Sequence, residues 1–211
     1  MKIAMIGSGG VGKALAVALR SAGHQVEVGT RSPDDEELRS WSTTSGVAVD
    51  EVGAVAAAAE VVVLATAWGG AQNALSLAGD SLAGKVLVDV TNPLQFTDRL
   101  GLAIGHSDSG GEQVQRWAPQ AKVVKAFNTV GFELMDHPRT SVGAPTLFVA
   151  TDDDDAKAVA TTLAADLGWS VHDCGGLRGA RLTEPMALLW IEHAMRSGTR
   201  NHVLTFVTTR P

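Results

Sequence analysis

The segment Gly7-Ser8-Gly9-Gly10-Val11-Gly12 stands between a short apolar run, KIAMIG, and a stretch with Val11, Leu15 and Leu19 at helical spacing. Strand, glycine-rich turn and helix in that order form the G-x-G-x-x-G opening of a βαβ unit. Each glycine has a physical task. Gly7 permits the tight turn, Gly9 lets the backbone approach a pyrophosphate, and Gly12 lets the helix pack close to the strand. The phosphates then meet free N–H groups at the helix N-terminus, with Ser8, Gly10 and Val11 supplying backbone contacts. A glycine-rich turn with no ligand is the plainer alternative, and the strand-before, helix-after context favours the dinucleotide site.

The rest of the chain repeats the alternation. QVEVGT, VAV (47–49), VVVLAT (61–66), KVLVDVTNP, AKVVKAFN, PTLFVAT (145–151) and WSVHDC (169–174) read as strands. VVVLAT is apolar throughout, as a strand buried on both faces requires. Helical segments lie between most of them, including EVGAVAAAAE, GGAQNALSLAG and DDAKAVATTLAADLG. Right-handed crossovers then predict an α/β fold, a Rossmann-type doubly wound parallel sheet. A last helix is expected over TEPMALLWIEHAMRSG, with Thr183 as N-cap, Pro185 in the first turn and Gly198 past the end. Met186, Leu189, Trp190 and Ala194 are expected on one face of it. The expected organisation is a single domain over 1–211, with an α/β body (1–176) and a C-terminal helix and tail (177–211). Between strands, the loop 91–111 is long and glycine-containing, which in compact domains often marks function.

Composition narrows the function. The net charge is -6, and no cluster of Lys and Arg offsets it, so nucleic acid is not an expected partner. No apolar run reaches the ~18 residues of a membrane helix. The one cysteine, Cys174, cannot form an internal disulfide and fits a reducing, cytoplasmic compartment. The chain has no tyrosine, which excludes mechanisms built on a catalytic Tyr/Lys pair. The acids of TDDDDA suit a helix N-terminus, and no second ligand segment points to a metal.

The end of the second strand discriminates between cofactors. A carboxylate there accepts the ribose 2′-OH of NAD; this chain has Gly29-Thr30-Arg31-Ser32 instead. Gly29 removes a repulsive side chain and leaves room, Arg31 offers a forked cation, and Thr30 and Ser32 offer short donors. Glu27 alternates with Val26 and Val28 and points to the other face. The pattern predicts NADP(H), whose 2′-phosphate an Arg accommodates. The alternative is a solvated Arg31 between turn-forming hydroxyls, ahead of a helix that starts in SPDDEE.

KIAMIGSGGVGKALAVALRSAGHQVEVGTRSP, LATAW, VVKAFNTVG and LTEPMALLWIEHA together resemble the NADP-dependent reductases of the deazaflavin coenzyme F420. The likeness spans nearly the whole chain, and the last two segments are its more specific part. It implies a Rossmann domain with a small C-terminal helical lobe, in which NADP(H) and the deazaflavin, or a flavin-like acceptor, face each other and exchange a hydride. On this chain it implies that Ser8, Gly9, Gly10 and Val11 meet the pyrophosphate, and Thr30, Arg31 and Ser32 the 2′-phosphate. Thr66, Ala67 and Trp68 would flank the cofactor, as would Asn92 and Pro93. Ala126, Phe127, Asn128 and Thr129 would lie near the nicotinamide, with Thr129, Met186 and Trp190 toward the acceptor. All of these segments follow strands or belong to the last helix. Trp68 reads equally as packing, Met186 and Trp190 more readily as core because helical spacing explains them without a ligand, Asn92-Pro93 as a turn, and Asn128 as a helix cap.

Hydride transfer between two rings asks the protein for alignment and exclusion of water rather than for an acid or base. An imine or ketone acceptor would need a proton donor, for which His106, His137, His172 and His193 are candidates by type alone. A non-catalytic NADP(H) sensor is the reading from another class. The anionic tail of a deazaflavin needs positive groups, and Arg178, Arg181, Arg196 and Arg200 cluster around the last helix. That helix packs either on its own domain or on a twofold mate in a homodimer.

Overall fold

The computed structural model describes residues 1–207. The expected C-terminal tail therefore has its last four positions, 208–211, outside the described residues. In chain order the elements are β1 (Lys2–Ile6), α1 (Gly10–Ser21), β2 (Gln25–Thr30), α2 (Glu36–Ser45), β3 (Ala48–Glu51), α3 (Val52–Ala58) and β4 (Val61–Leu64). They continue with α4 (Trp68–Ala78), β5 (Val86–Asp89), β6 (Leu94–Phe96), β7 (Leu100–Leu102), α5 (Gly110–Trp117) and β8 (Lys122–Lys125). The last are β9 (Thr146–Val149), α6 (Asp154–Asp166), β10 (Ser170–Asp173) and α7 (Ala180–Ser197).

Six strands form one parallel sheet in the order β3-β2-β1-β4-β5-β8. The chain winds outward from β1 in one direction, then returns to β4 on its other side. The switch point thus lies between the carboxyl ends of β1 and β4, where open α/β sheets bind ligands. Side-chain alternation divides the interior into two cores. Ile3, Met5, Val61, Val63 and Val88 join Leu15 and Leu19 of α1 and Leu163 of α6 on one face. Ala4, Ile6, Val62, Leu64 and Leu87 join α3, α4 and Val114 of α5 on the other. This two-sided burial is why the central strands are apolar at every position.

Three features depart from the sequence expectation. First, β9 and β10 do not extend the main sheet. They form a separate parallel pair, joined to β8 by an antiparallel bridge in which Lys125 and Ala150 exchange backbone hydrogen bonds of 2.9 and 3.0 Å. Second, the 91–111 loop holds an antiparallel hairpin, β6–β7. Third, α7 begins at Ala180, directly after a 3-10 turn over Leu177–Gly179. Thr183 is therefore a fully buried interior residue rather than the N-cap, and Pro185 lies inside the helix. Tertiary anchors on Arg181 and Glu184, described below, hold the turns around Pro185 in place. The inner face of α7 is Thr183, Glu184, Ala187, Trp190 and Ala194, whereas Leu182, Leu189 and Met195 face solvent. Leu189 thus lies off the buried face expected for it. Gly198 closes the helix in the left-handed region, φ 69°. No helix among the described residues is long and apolar enough to cross a membrane.

Candidate functional site

At the switch point the three glycines of the turn do different things. A Cβ on Gly12 would stand 2.0 Å from the Gly7 carbonyl oxygen, so only glycine lets α1 approach β1 this closely. Gly7 has φ 120°, and a Cβ there would lie 2.6 Å from the Ala65 carbonyl oxygen. Gly9 is different: nothing among the described residues lies within 4 Å of a Cβ built on it. No internal contact requires glycine at that position, so the space above it is free for a ligand. Gly9 also stands at the N-cap of α1 with no side-chain cap, and the first turn carries no acid. The N-terminal N–H groups of α1 are open to an anion. A Cβ on Gly10 would meet the Phe132 ring at 3.3 Å, so Phe132 shields the outer side of the turn.

A recess of about 300 Å³ runs from this turn to the end of β2, bounded by Gly7, Ser8, Gly9, Thr30, Arg31 and Thr66. Arg31 is exposed at its edge and forms no ion pair among the described residues. Three of the acids that follow it in the chain are engaged elsewhere. Asp34 pairs with Arg39, Glu37 lies 3.6 Å from Lys13, and Asp35 caps α2 by accepting from the Leu38 amide at 2.9 Å. Gly29 lines this recess as well, and a Cβ there would lie 3.1 Å from Val52 Cα, so the packing of α3 on β2 also favours a small residue at this position.

A second recess of about 360 Å³ continues from the first across Ala65, Thr66 and Ala67. Its walls include Val11, Trp68, Asn92, Asn128, Phe132 and Trp190. Trp68 also packs on Trp117, ring centroids 5.1 Å apart, so its packing and lining roles coexist. On the floor, Asn92 Nδ2 donates to the Asn128 carbonyl at 2.8 Å, and Asn128 Nδ2 donates to Asn92 Oδ1 at 3.1 Å. This pairing leaves Asn128 Oδ1 buried without a partner, and Thr66 Oγ1 is in the same condition. Two orphaned polar atoms in one cleft are costly unless a ligand meets them. Next to Asn128, Phe127 is held at φ 59°, a left-handed conformation unfavourable for a bulky residue.

Other expected site residues lie elsewhere. Gly10 and Gly12 shape the turn without lining either recess, and Ser32 stands outside on the surface. Ala126 and Thr129 are buried behind the floor, and Pro93 lies beneath it, against Gly110. Met186 is half-buried on α7 and lines neither recess. Nor does any of His106, His137, His172 and His193. His137 pairs with Asp136, and His172 packs against Phe148 and Phe206.

Beneath the floor is a buried charge network that the sequence reading did not identify. Lys125 Nζ lies 2.9 Å from Asp89 Oδ2, 2.8 Å from Glu184 Oε1 and 2.6 Å from the Thr91 carbonyl oxygen, with all three charged side chains buried. Burial disfavours the ammonium, but the two carboxylates outweigh it and raise the Lys125 pKa above its usual value. Asp89 Oδ1 also accepts from the Thr91 amide and hydroxyl at 2.9 and 2.7 Å, which fixes the chain entering Asn92. Glu184 accepts from the Gly110 and Gly111 amides at 2.9 and 3.0 Å, at the N-terminus of α5. Nearby, Arg181 makes a forked pair with Glu112, at 2.8 and 2.6 Å. The network therefore locks sheet, α5 and α7 around the second recess. Its only sequence signal was Asp89 and Lys125 at the carboxyl ends of strands whose inner residues are Val and Leu.

Known proteins resemble the chain over nearly its whole length. Residues 2–93 match the family model described as NADP oxidoreductase coenzyme F420-dependent. The F420-dependent NADP reductase of Methanothermobacter thermautotrophicus is 30% identical over 216 residues, covering 95% of this chain and 92% of that one. Metalloreductase STEAP3 of Rattus norvegicus is 30% identical over 188 residues, but the chain spans only 36% of its length. Among solved structures, a provisionally named F420-dependent NADP-reductase from Arthrobacter sp. FB24 superposes with a TM-score of 0.92 at 39% identity. That match covers 99% of this chain and all of the other. With near-complete coverage at this identity, the chain belongs to the coenzyme F420-dependent NADP oxidoreductase family.

Proposed function

We propose that this NADP-linked oxidoreductase transfers a hydride between NADP(H) in the first recess and a deazaflavin, coenzyme F420 or a flavin-like relative, in the second. The observation that carries the reading is that the two recesses share Ala65, Thr66 and Ala67, so that ligands in them would meet at a common wall. The residues present fit NADP(H). The open space over Gly9 and the uncapped N-terminus of α1 suit a pyrophosphate, and unpaired Arg31 suits a 2′-phosphate. Bound there, the nicotinamide supplies the hydride chemistry.

The protein's own contribution is positional. Asn92 and Asn128 brace each other, leaving Asn128 Oδ1 and Thr66 Oγ1 to accept from or orient a ligand amide. Phe132, Trp68 and Trp190 wall the second recess with aromatic surface that excludes water and offers stacking area. Among the described residues no acid or base lines the junction, which suits transfer between two rings and disfavours an imine or ketone acceptor that needs protonation. Steady-state oxidation of NADPH against F420, FMN and a small cyclic imine tests the reading. Turnover should be fastest with F420. Tight NADPH binding with no turnover on any acceptor would mark a sensor instead.

A further inference from the structure

Four arginines surround the last helix, and the structure sorts them. Arg181 is committed to Glu112, and Arg196 pairs with Glu192 at 2.7 Å. Arg178 lines neither recess. Arg200, just past the end of α7, lines the second recess and is the only charged residue among those lining it. Its guanidinium carbon lies 5.2 Å from the Phe132 ring centroid and 5.1 Å from that of Trp190. Its Nε donates to Glu133 Oε1, and its two terminal nitrogens have no partner among the described residues. The His202 ring stacks on Trp190, centroids 4.6 Å apart, and the Trp190 Nε1–H donates to the His202 carbonyl at 2.8 Å. The segment carrying Arg200 is thus fastened to the recess wall.

This is a prepared anion contact. Two aromatic rings flank the guanidinium, whose side chain remains 46% exposed, Glu133 fixes its rotation through Nε, and the terminal fork is left free. Arg200 is the one charged side chain among the described residues lining the recess, and its pairing with Glu133 through Nε leaves the two terminal nitrogens as the donors an anion would meet. We propose that Arg200 determines acceptor specificity by binding a phosphate on the acceptor's side arm at the mouth of the second recess. The inference rests on the reading of that recess as the acceptor site, and it names the chemical class of acceptor: a flat, phosphate-bearing ring compound.

The test uses 5-deazariboflavin and its 5′-phosphate, which differ only in the phosphate. Both kcat/KM with NADPH and Kd, read from tryptophan fluorescence, are measured for the intact chain, Arg200→Gln, Arg200→Lys and Glu133→Gln. The intact chain should prefer the phosphorylated compound about tenfold or more, as a forked charge-assisted contact implies. In Arg200→Gln that preference should fall toward one, through KM for the phosphorylated acceptor rather than kcat. Arg200→Lys should restore part of it. Glu133→Gln, which removes the competing carboxylate, should raise it. No phosphate preference in the intact chain, or one that survives Arg200→Gln, overturns the proposal, as does an equal loss on both compounds. If both bind and neither is reduced, the functional reading fails, while the ratio of Kd values still decides the role of Arg200. If neither binds, both fail.

Discussion

Lys125 Nζ and Glu184 Oε1 stand 2.8 Å apart with both side chains buried, and they join the edge of the parallel sheet to the final helix. Such a pair is weak evidence for net stability, because desolvation offsets the attraction, but removing one partner strands the others. Lys125→Met leaves Asp89 and Glu184 facing each other unpaired. It should cost about 3–5 kcal/mol in chemical denaturation. The Lys125→Met, Glu184→Gln double variant should lose less than the sum of the two single losses, because the residues are directly coupled.

Gly9 and Gly12 differ by three positions but should respond oppositely to alanine. Gly12→Ala drives a Cβ to 2.0 Å from the Gly7 carbonyl and must displace α1, so it should lower the unfolding midpoint and NADPH affinity together. Gly9→Ala meets nothing among the described residues. It should keep the midpoint and weaken NADPH binding about tenfold or more, because the methyl enters the space over the helix N-terminus. Calorimetric unfolding beside NADPH titration separates the two effects.

Arg31 has no carboxylate partner among the described residues, so its charge is available to a 2′-phosphate. A charge-assisted hydrogen bond is worth about 1.5–3 kcal/mol, or roughly 10- to 150-fold in affinity. Arg31→Gln should weaken NADPH by an amount in that range and leave NADH nearly untouched. Equal losses for both cofactors would place Arg31 outside the 2′-phosphate contact.

The pair between Glu112 and Arg181 gives a pH dependence with a definite sign. The Arg181 guanidinium holds the Glu112 carboxyl below its usual value, against the opposing effect of burial, with Ser109 helping through a 2.7 Å hydrogen bond. A group whose pKa is depressed on folding contributes fully above its unfolded pKa and loses that contribution as pH falls through the folded value. Stability of the intact chain should therefore decline below about pH 5 partly through this group. Glu112→Gln should be less stable at neutral pH and show a shallower acid limb, measured by denaturant titration across that range.

The parts of the site legible in the sequence are those whose chemistry is local. Gly7, Gly9 and Gly12 lie within one turn, and Thr30 and Arg31 sit at a fixed distance after it, while the neighbouring Ser32 stands outside the recess. The alternation that builds the sheet is likewise written strand by strand. What escaped depends on partners distant in the chain. The tight contact at Gly29 comes from Val52, the start of α7 from anchors on Gly110 and Glu112, and the burial of Lys125 is met by Asp89 and Glu184. Phe132 went unnoticed because nothing near it in sequence announces that it covers Gly10. Arg200 stood among four equivalent cations until the fold put it alone in the recess.

The central claim is direct hydride passage between ligands meeting at the shared wall of Ala65, Thr66 and Ala67. Reduction of oxidised F420 by NADPH carrying deuterium in the transferable position of its nicotinamide tests it most directly. Carbon-bound hydrogen on the reduced deazaflavin does not exchange with water, so mass spectrometry reports its origin. The account predicts that each reduced deazaflavin carries one deuterium from the cofactor. Reduced deazaflavin bearing only solvent hydrogen, or oxidation of NADPH without reduction of the deazaflavin, would contradict it.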